Sequence, residues 1–480
     1  MSERRPWEGR RLHFVGVGGA GISAYARAAH ALGAELSGSD SARSPYLERL
    51  RADGVLDARV GHDAANVPPG EDVELIYSSA VAAENVERAA ARERGLPERT
   101  RAELLGELSA LRRTIAVAGT HGKTTTSSML AHALRAAGLD PGWLIGAPIG
   151  GGLPNAHWSE GEWLVVEADE SDRSMLSLSV EIAVLTNVEL DHHATFASLA
   201  ELRGAFAAFL ARASAAVVLW DRPELLELAR RPVPVRPNEL MSPTRRSLKA
   251  SEFRPGVEVV RYDVPAPILR ADGARFRWRE AEVRLAVHGA HNALDAAAAL
   301  EAARLAGAQM SLAIAGLGEF HGAGRRFQLL GHSRAGALVY DDYAHHPTEV
   351  AATLDAARTL EHGRLIAVFQ PHLYSRTELL ARDFGRALAR ADVTVVLDVY
   401  PARERAEQHP GVSGLMIAEA VADAARGRPV YWMPSFDAAA LVLDGLLGAD
   451  DVCLVMGAGD VDRLARTITG GDVIAKGHEA

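Results

Sequence analysis

Cysteine and lysine are almost missing from this chain of 480 residues, and each shortage narrows what it can be. A single cysteine, Cys453, rules out an intramolecular disulfide and any cysteine-based metal cluster, which suits a reducing compartment and a core-filling role for that thiol. No dense Lys/Arg tract stands out and the formal charge is −10, which argues against nucleic acid as a partner; anionic ligands must meet local basic sites. No uninterrupted apolar run approaches membrane-spanning length, and Met1 to Arg10 lack the apolar core and small-residue cleavage site of a secretory signal. The expectation is a cytoplasmic protein with no membrane insertion. Hydrophobic residues make up 48% of the chain, enough for several buried cores in roughly two to four domains.

Of the 52 lysines and arginines only three are lysines: Lys123, Lys249 and Lys476. A lysine retained in so arginine-rich a chain points to a task for a compact ammonium, such as reaching terminal phosphates. Lys123 lies in Gly119, Thr120, His121, Gly122, Lys123, Thr124, Thr125 and Thr126, between an apolar strand ending at Ala118 and a helical pattern from Ser127. In such a strand-loop-helix the glycines let backbone N–H groups face an anion, the helix N-terminus adds partial positive charge, and Thr124 offers its hydroxyl to magnesium. Val117 stands where the general phosphate-loop pattern has its first glycine, so the loop is a variant.

Gly16, Gly18 and Gly21 form a second glycine pattern, G-x-G-x-x-G, with Gly19 between, after a strand from Arg11. Asp40 closes the next strand at the place of a ribose-binding acid, preceded by Ser39. That pattern fits the diphosphate of NAD or of a nucleotide sugar equally. Ser78 and Ser79 end a further strand, where they face a ligand or cap the next helix. Glu167 to Asp172 and Asp191 to His193 follow two more apolar strands, so carboxylates and an imidazole join the Lys123 rim as candidate magnesium ligands. Near the end of the chain, Asp341 to Pro347 and Gln370 to Arg376 bring His and Arg to neighbouring strand ends, where they suit a carboxylate, while Arg325 or Arg326 suits a terminal phosphate.

Alternating strands and helices predict an α/β fold of three domains: a Rossmann-like domain over 1–110, a central P-loop-type ATPase domain with a mostly parallel sheet over 111–323, and a Rossmann-like α/β domain over 324–480. The interval from Arg230 to Pro267 reads as irregular or small antiparallel structure.

These motifs, in this order and spacing, resemble the muramyl ligase family along nearly the whole chain. Its carriers are Gly16 to Gly21, Ser37 to Asp40, Ala118 to Thr126, Glu167 to Asp172, His291 and Asn292, Gly324 to Phe327, Asp341 to Pro347, Phe369 to His372, Asp398 to Pro401 and Met456 to Asp460. The resemblance implies ATP-dependent amide synthesis on UDP-N-acetylmuramate with L-alanine as the amine, through an acyl phosphate, by a monomer or weak homodimer. It assigns Lys123 to the outer phosphates; Thr124, Glu167 and His192 to magnesium; and Gly119 to Thr125, Asn292, Arg326 and Asp342 to ATP. Gly16, Gly18, Gly19, Gly21, Ser39, Asp40, Ser78 and Ser79 fall to the UDP-sugar, and Tyr343, His345, His372 and Arg376 to the amino acid. Lys123, Glu167, His192, Arg326 and His372 form the catalytic set. Ala194, Asp295 and Leu373 depart from the family pattern, in support of His192, in the adenine contact and in the carboxylate site. Three alternatives remain: a recycling ligase that adds a preformed peptide, an NAD-dependent oxidoreductase, and a silent nucleotide-sugar binder.

Overall fold

The computed structural model describes residues 5–193, 195–229 and 256–470. Lys249, Lys476, Ala194 and most of the Arg230 to Pro267 interval lie outside those residues. By backbone contact the chain divides into two units, Met1–Asp263 with Leu294–Gly318, and Val264–Ala293 with Glu319–Ala480.

The first unit holds two sheets. One is wholly parallel, in the spatial order Arg59–Val60, Glu35–Asp40, Arg11–Val15, Val73–Tyr77, Glu98–Thr100. Its strand order reverses beside Arg11–Val15, the place where an open α/β sheet forms a ligand crevice. The other has seven strands, in the order Glu258–Tyr262, Ala213–Trp220, Val180–Leu185, Arg113–Ala118, Trp163–Glu167, Gly142–Leu144, Ala156–His157, with only the last pairing antiparallel. Its central strands are near-continuous apolar runs because helices cover both faces and leave no solvated side. A single hydrophobic cluster runs from Trp7 through Phe14, Leu104 and Val166 to Phe206 and Leu219, joining the two sheets in one core.

Helix starts follow local chemistry. Thr100 and Glu103 form a reciprocal capping box on Arg101–Ala110, and Ser44 caps Pro45–Ala52 with proline in its first turn. Asn85, not Ser78 or Ser79, caps Val86–Glu93.

The second unit contains a three-stranded antiparallel sheet, Ile268–Arg270, Gly273–Trp278 and Ala281–Leu285, and a six-stranded one. The small antiparallel element therefore begins after Pro267, whereas Glu258–Tyr262 extends the large sheet of the first unit in parallel. The six-stranded sheet runs Gln328–His332, Leu338–Asp342, Val452–Met456, Leu365–Phe369, Val393–Val396, Val430–Trp432, parallel except at its first pair. Two clusters cover its faces, one around Phe369, Phe384 and Leu454, the other around Val368, Leu443 and Val455. Cys453 is fully buried in this sheet and burial pushes its thiol up to about 12, so it is an inert packing residue.

Candidate active site

In the first unit, the loop after Arg113–Ala118 is built for close backbone approach. Gly119 has φ 138°, and a Cβ there would lie 2.0 Å from the Thr186 hydroxyl; Gly122, at φ 82°, is the N-cap of Lys123–Ala136. The end of the neighbouring strand stitches this loop in place. Thr186 Oγ1 and Asn187 Nδ2 donate to the His121 carbonyl at 2.6 and 2.9 Å, Asn187 Oδ1 accepts from the His121 N–H, and Thr120 Oγ1 donates to the Glu189 carbonyl. Asp295, where an asparagine was expected, faces the N-cap glycine: a Cβ on Gly122 would meet its Oδ1 at 2.5 Å. A carboxylate there gains from the positive end of the helix.

Three adjacent strand ends bring the predicted residues together. Lys123 Nζ donates to the Gly119 and Thr120 carbonyls and pairs with Glu170 at 2.9 Å. Burial pulls this ammonium's pKa down, but attraction from Glu170, Asp169 and Glu167 outweighs it and the value ends above that of an ordinary lysine. Thr124 Oγ1 donates to Glu167 Oε1 at 2.9 Å, and the Gly146 N–H donates to Glu167 Oε2 at 2.7 Å. His192, at φ 54°, sets Nε2 3.3 Å from Glu170 Oε1. Burial lowers its pKa, yet Glu170 and Asp191 raise it by more. Glu170, fully buried between Lys123 and His192, is the hub that the sequence reading did not single out; its only signal was membership of the acidic run after Trp163–Glu167. That run is no solvated loop, since Arg101 forks onto Asp172 at 2.6 Å and Asp169 at 3.0 Å. The hydroxyl and carboxylate oxygens of Thr124 and Glu167, with one imidazole nearby, form a donor set that fits magnesium.

The surroundings of the first glycine loop correct the expectation for Ser39. Ser39 Oγ donates to Glu87, whose carboxylate also meets His13 at 2.8 Å and Asn66 at 2.9 Å, so this serine is buried in a structural network and not offered to a sugar. Asp40 accepts the Gly18 N–H at 2.7 Å and the Ala42 N–H at 3.2 Å, and thus fastens the loop. Gly16 is held at φ 80° by its N–H bond to the Ser39 carbonyl, and a Cβ there would strike Val81 and Ser78. Gly19 is the N-cap of Ala20–Ala31, and a Cβ on Gly21 would lie 2.7 Å from Arg101. Ser78 borders Gly16, while Ser79 is exposed.

In the second unit, the Arg325 and Arg326 guanidinium groups both lie 5.1 Å from the Tyr343 ring centre, and Arg325 in addition bonds Asp341 and the Gly457 and Gly459 carbonyls, a structural anchor. Asp342 accepts the Phe327 and Ala344 N–H groups, both at 2.7 Å, so its direct role is to hold the turn carrying Arg326; burial pushes its carboxyl up to about 6. Asn292 donates to the His288 carbonyl at 2.6 Å. Arg376 is buried and donates to His372 Nδ1 at 3.1 Å; His372 stacks on Tyr400, with the His345 ring 6.0 Å away. Leu373 takes a left-handed φ of 69° at the start of Tyr374–Leu388. His345 sits beside Glu349 and Tyr343, and His346 caps Pro347–Ala357.

Comparison with known proteins gives this geometry its context. Three Mur ligase models match in succession: the catalytic domain of the Mur ligase family over 11–113, the Mur ligase middle domain over 117–303, and the Mur ligase glutamate ligase domain over 325–459. The UDP-N-acetylmuramate--L-alanine ligase of Rubrobacter xylanophilus is 43% identical over 94% of this chain and 98% of its own length. The chain belongs to the Mur ligase family. Its likeness to the ligase of the same name from Kineococcus radiotolerans is 45% identity over 94% of each protein. The solved UDP-N-acetylmuramate-alanine ligase of Thermotoga maritima superposes with a TM-score of 0.77 at 25% identity, over 96% of this chain and 98% of that one. The Mur ligase architecture of three α/β domains with mostly parallel sheets is therefore the fold of this chain.

Proposed function

We propose that this chain is the ATP-dependent ligase that joins L-alanine to the lactyl carboxylate of UDP-N-acetylmuramate in peptidoglycan precursor synthesis. The observation that carries the reading is the meeting of Lys123, Thr124, Glu167, Glu170 and His192 at three adjacent strand ends, in a chain similar over its full length to ligases of that name.

A carboxylate resists attack by an amine at neutral pH, so it must first gain a leaving group. ATP supplies one: the carboxylate oxygen attacks the γ-phosphorus, ADP departs, and the acyl phosphate is attacked by the neutral amine through a tetrahedral intermediate that expels phosphate. Phosphoryl transfer asks the protein chiefly for position and electrostatics. The backbone of Gly119 to Gly122, with Thr120, His121 and Thr125, cradles the phosphates. Lys123 moves its ammonium from Glu170 onto the outer phosphates. Thr124, Glu167 and His192 would hold magnesium, which would neutralise phosphate charge. Gly16, Gly18, Gly19, Gly21 and Ser78 contact the UDP moiety. Arg326 serves the terminal phosphate, Asn292 the adenine, and Asp342 keeps Arg326 in place. Tyr343, His345, His372 and Arg376 receive the amino acid, with Arg376 on its carboxylate. The boundaries 1–110, 111–323 and 324–480 divide these roles. Among the described residues no helix is long and apolar enough to cross a membrane, and we place the enzyme in the cytoplasm as a monomer or weak homodimer.

The test is phosphate release by purified protein with ATP, magnesium and UDP-N-acetylmuramate, adding L-alanine, L-serine, glycine or a muramyl tripeptide separately. L-Alanine gives the highest kcat/KM. Preference for the tripeptide would assign the chain to peptide recycling.

A further inference from the structure

Hydrogen bonds joined by short backbone links run from the first glycine loop to the carboxylate assigned to magnesium, wholly within the first unit. Ser44, the N-cap of Pro45–Ala52, donates to the Gly18 carbonyl at 2.7 Å and so ties that helix to the loop. Two residues on, the Tyr46 hydroxyl donates to the Gly146 carbonyl at 3.2 Å, across a sequence separation of 100. The N–H of the same glycine donates to Glu167 Oε2 at 2.7 Å, and Glu167 Oε1 accepts from Thr124. A Cβ on residue 146 would lie 2.9 and 3.0 Å from the two carboxylate oxygens, so no side chain larger than hydrogen permits this approach. A second strap runs parallel to the first, from Asn155 Nδ2 to the Ala20 carbonyl at 2.9 Å.

We infer that Tyr46 is a positioning residue for phosphoryl transfer: through Gly146 it sets the Glu167 carboxylate, and through Ser44 it links that setting to occupancy of the glycine loop by a nucleoside diphosphate sugar. The inference rests on the ligase reading above. Its physical content is a coupling free energy between two sites of one unit, carried through the Ser44, Tyr46 and Gly146 hydrogen bonds. A tyrosine that merely packed one domain on the other would contribute through its ring and not through its hydroxyl.

The experiment is calorimetric titration of a non-hydrolysable ATP analogue with magnesium, with and without UDP-N-acetylmuramate, on the full-length wild type and Tyr46→Phe, alongside steady-state kinetics. In the wild type the nucleotide sugar tightens analogue binding. In Tyr46→Phe that enhancement and kcat each fall about three- to tenfold, the range for one lost hydrogen bond, while KM for L-alanine stays put. Gly146→Ala, acting directly on Glu167, lowers kcat and leaves UDP-N-acetylmuramate affinity unchanged. An equal enhancement in wild type and Tyr46→Phe, or no enhancement in the wild type, overturns the inference. Failure of the wild type to release phosphate with UDP-N-acetylmuramate and L-alanine overturns the ligase reading instead, so the two failures are distinct.

Discussion

At the scale of single residues, Lys123 concentrates the chemistry. Its scarcity among arginines marked it in the sequence, and its ion pair with Glu170 gives the reason a guanidinium does not replace it: the cavity bounded by the Gly119 and Thr120 carbonyls admits a point charge with radial donors. Lys123→Ala is expected to lower kcat for phosphate release at least 1,000-fold by removing charge from a site that works by electrostatics, a loss of about 4 kcal/mol in transition-state stabilisation. Lys123→Arg is expected to recover little of it. UDP-N-acetylmuramate binding by calorimetry should stay within about twofold in both, because the hydrogen bonds of Lys123 go to Gly119, Thr120 and Glu170 and not to the glycine loop proposed to bind the sugar. Turnover of Lys123→Ala near the wild-type rate would remove this residue from the mechanism. The expectation for Ser39 fails for an equally local reason. Ser39 and Asp40 are consecutive in one strand, so they project to opposite faces, and only the structure tells which face holds the Glu87 network.

At the scale of elements, what was legible was the succession of apolar strand, glycine turn and helix. Runs such as Trp163–Glu167 and Leu365–Phe369 are apolar throughout because parallel sheets bury both faces, and that pattern survives in sequence without knowledge of neighbours. Contacts between elements were not legible. Glu170, Asn187, Arg101 and Gly146 act through partners 20 to 70 residues away for most of their bonds, and no local period encodes such pairings. The Glu87 network is one such contact with a measurable signature. Burial raises the Glu87 pKa, but hydrogen bonds from His13, Asn66 and Ser39 more than cancel it and bring the value from 4.5 to about 2. Because the folded value is depressed, the associated stability is fully present above the unfolded value and is lost as pH falls from about 4.5 through about 2, on the order of 3 kcal/mol in all. Thermal midpoints of the wild type and Glu87→Gln, followed from pH 7 to pH 2.5, should therefore converge as the acid limb is entered. Midpoints that keep a constant separation across that window would show that the carboxylate contributes nothing to the acid sensitivity.

At the scale of the molecule, the first unit is the body in which nucleotide-sugar loop and phosphate loop share one hydrophobic core, from Trp7 to Leu219. A shared core makes unfolding cooperative, and beside the neutral Tyr46 and Asn155 bonds Arg101 adds a charged link: it starts its helix in one domain and forks onto Asp169 and Asp172 of the other. Burial opposes its charge, but attraction from Asp169 and Asp172 outweighs it and holds the guanidinium protonated well above its usual range. Removing it leaves two partly buried carboxylates without their bonded cation, and breaking a buried pair from one side costs up to about 3 to 5 kcal/mol, less here because Asp169 is 36% exposed at its side chain and still attracted by Lys123. Arg101→Met keeps the apolar stem that packs beneath the guanidinium while deleting the fork. Scanning calorimetry should then resolve a new, lower-temperature transition from the glycine-loop domain, split from the transition that it shares with the central domain in the wild type. If the glycine loop binds UDP-N-acetylmuramate as proposed, the ligand at saturating concentration should draw the new transition upward, since only the folded loop would bind it. A single transition at the wild-type temperature in Arg101→Met would mean that the apolar core by itself couples the two sheets and that the fork is dispensable to their cooperation.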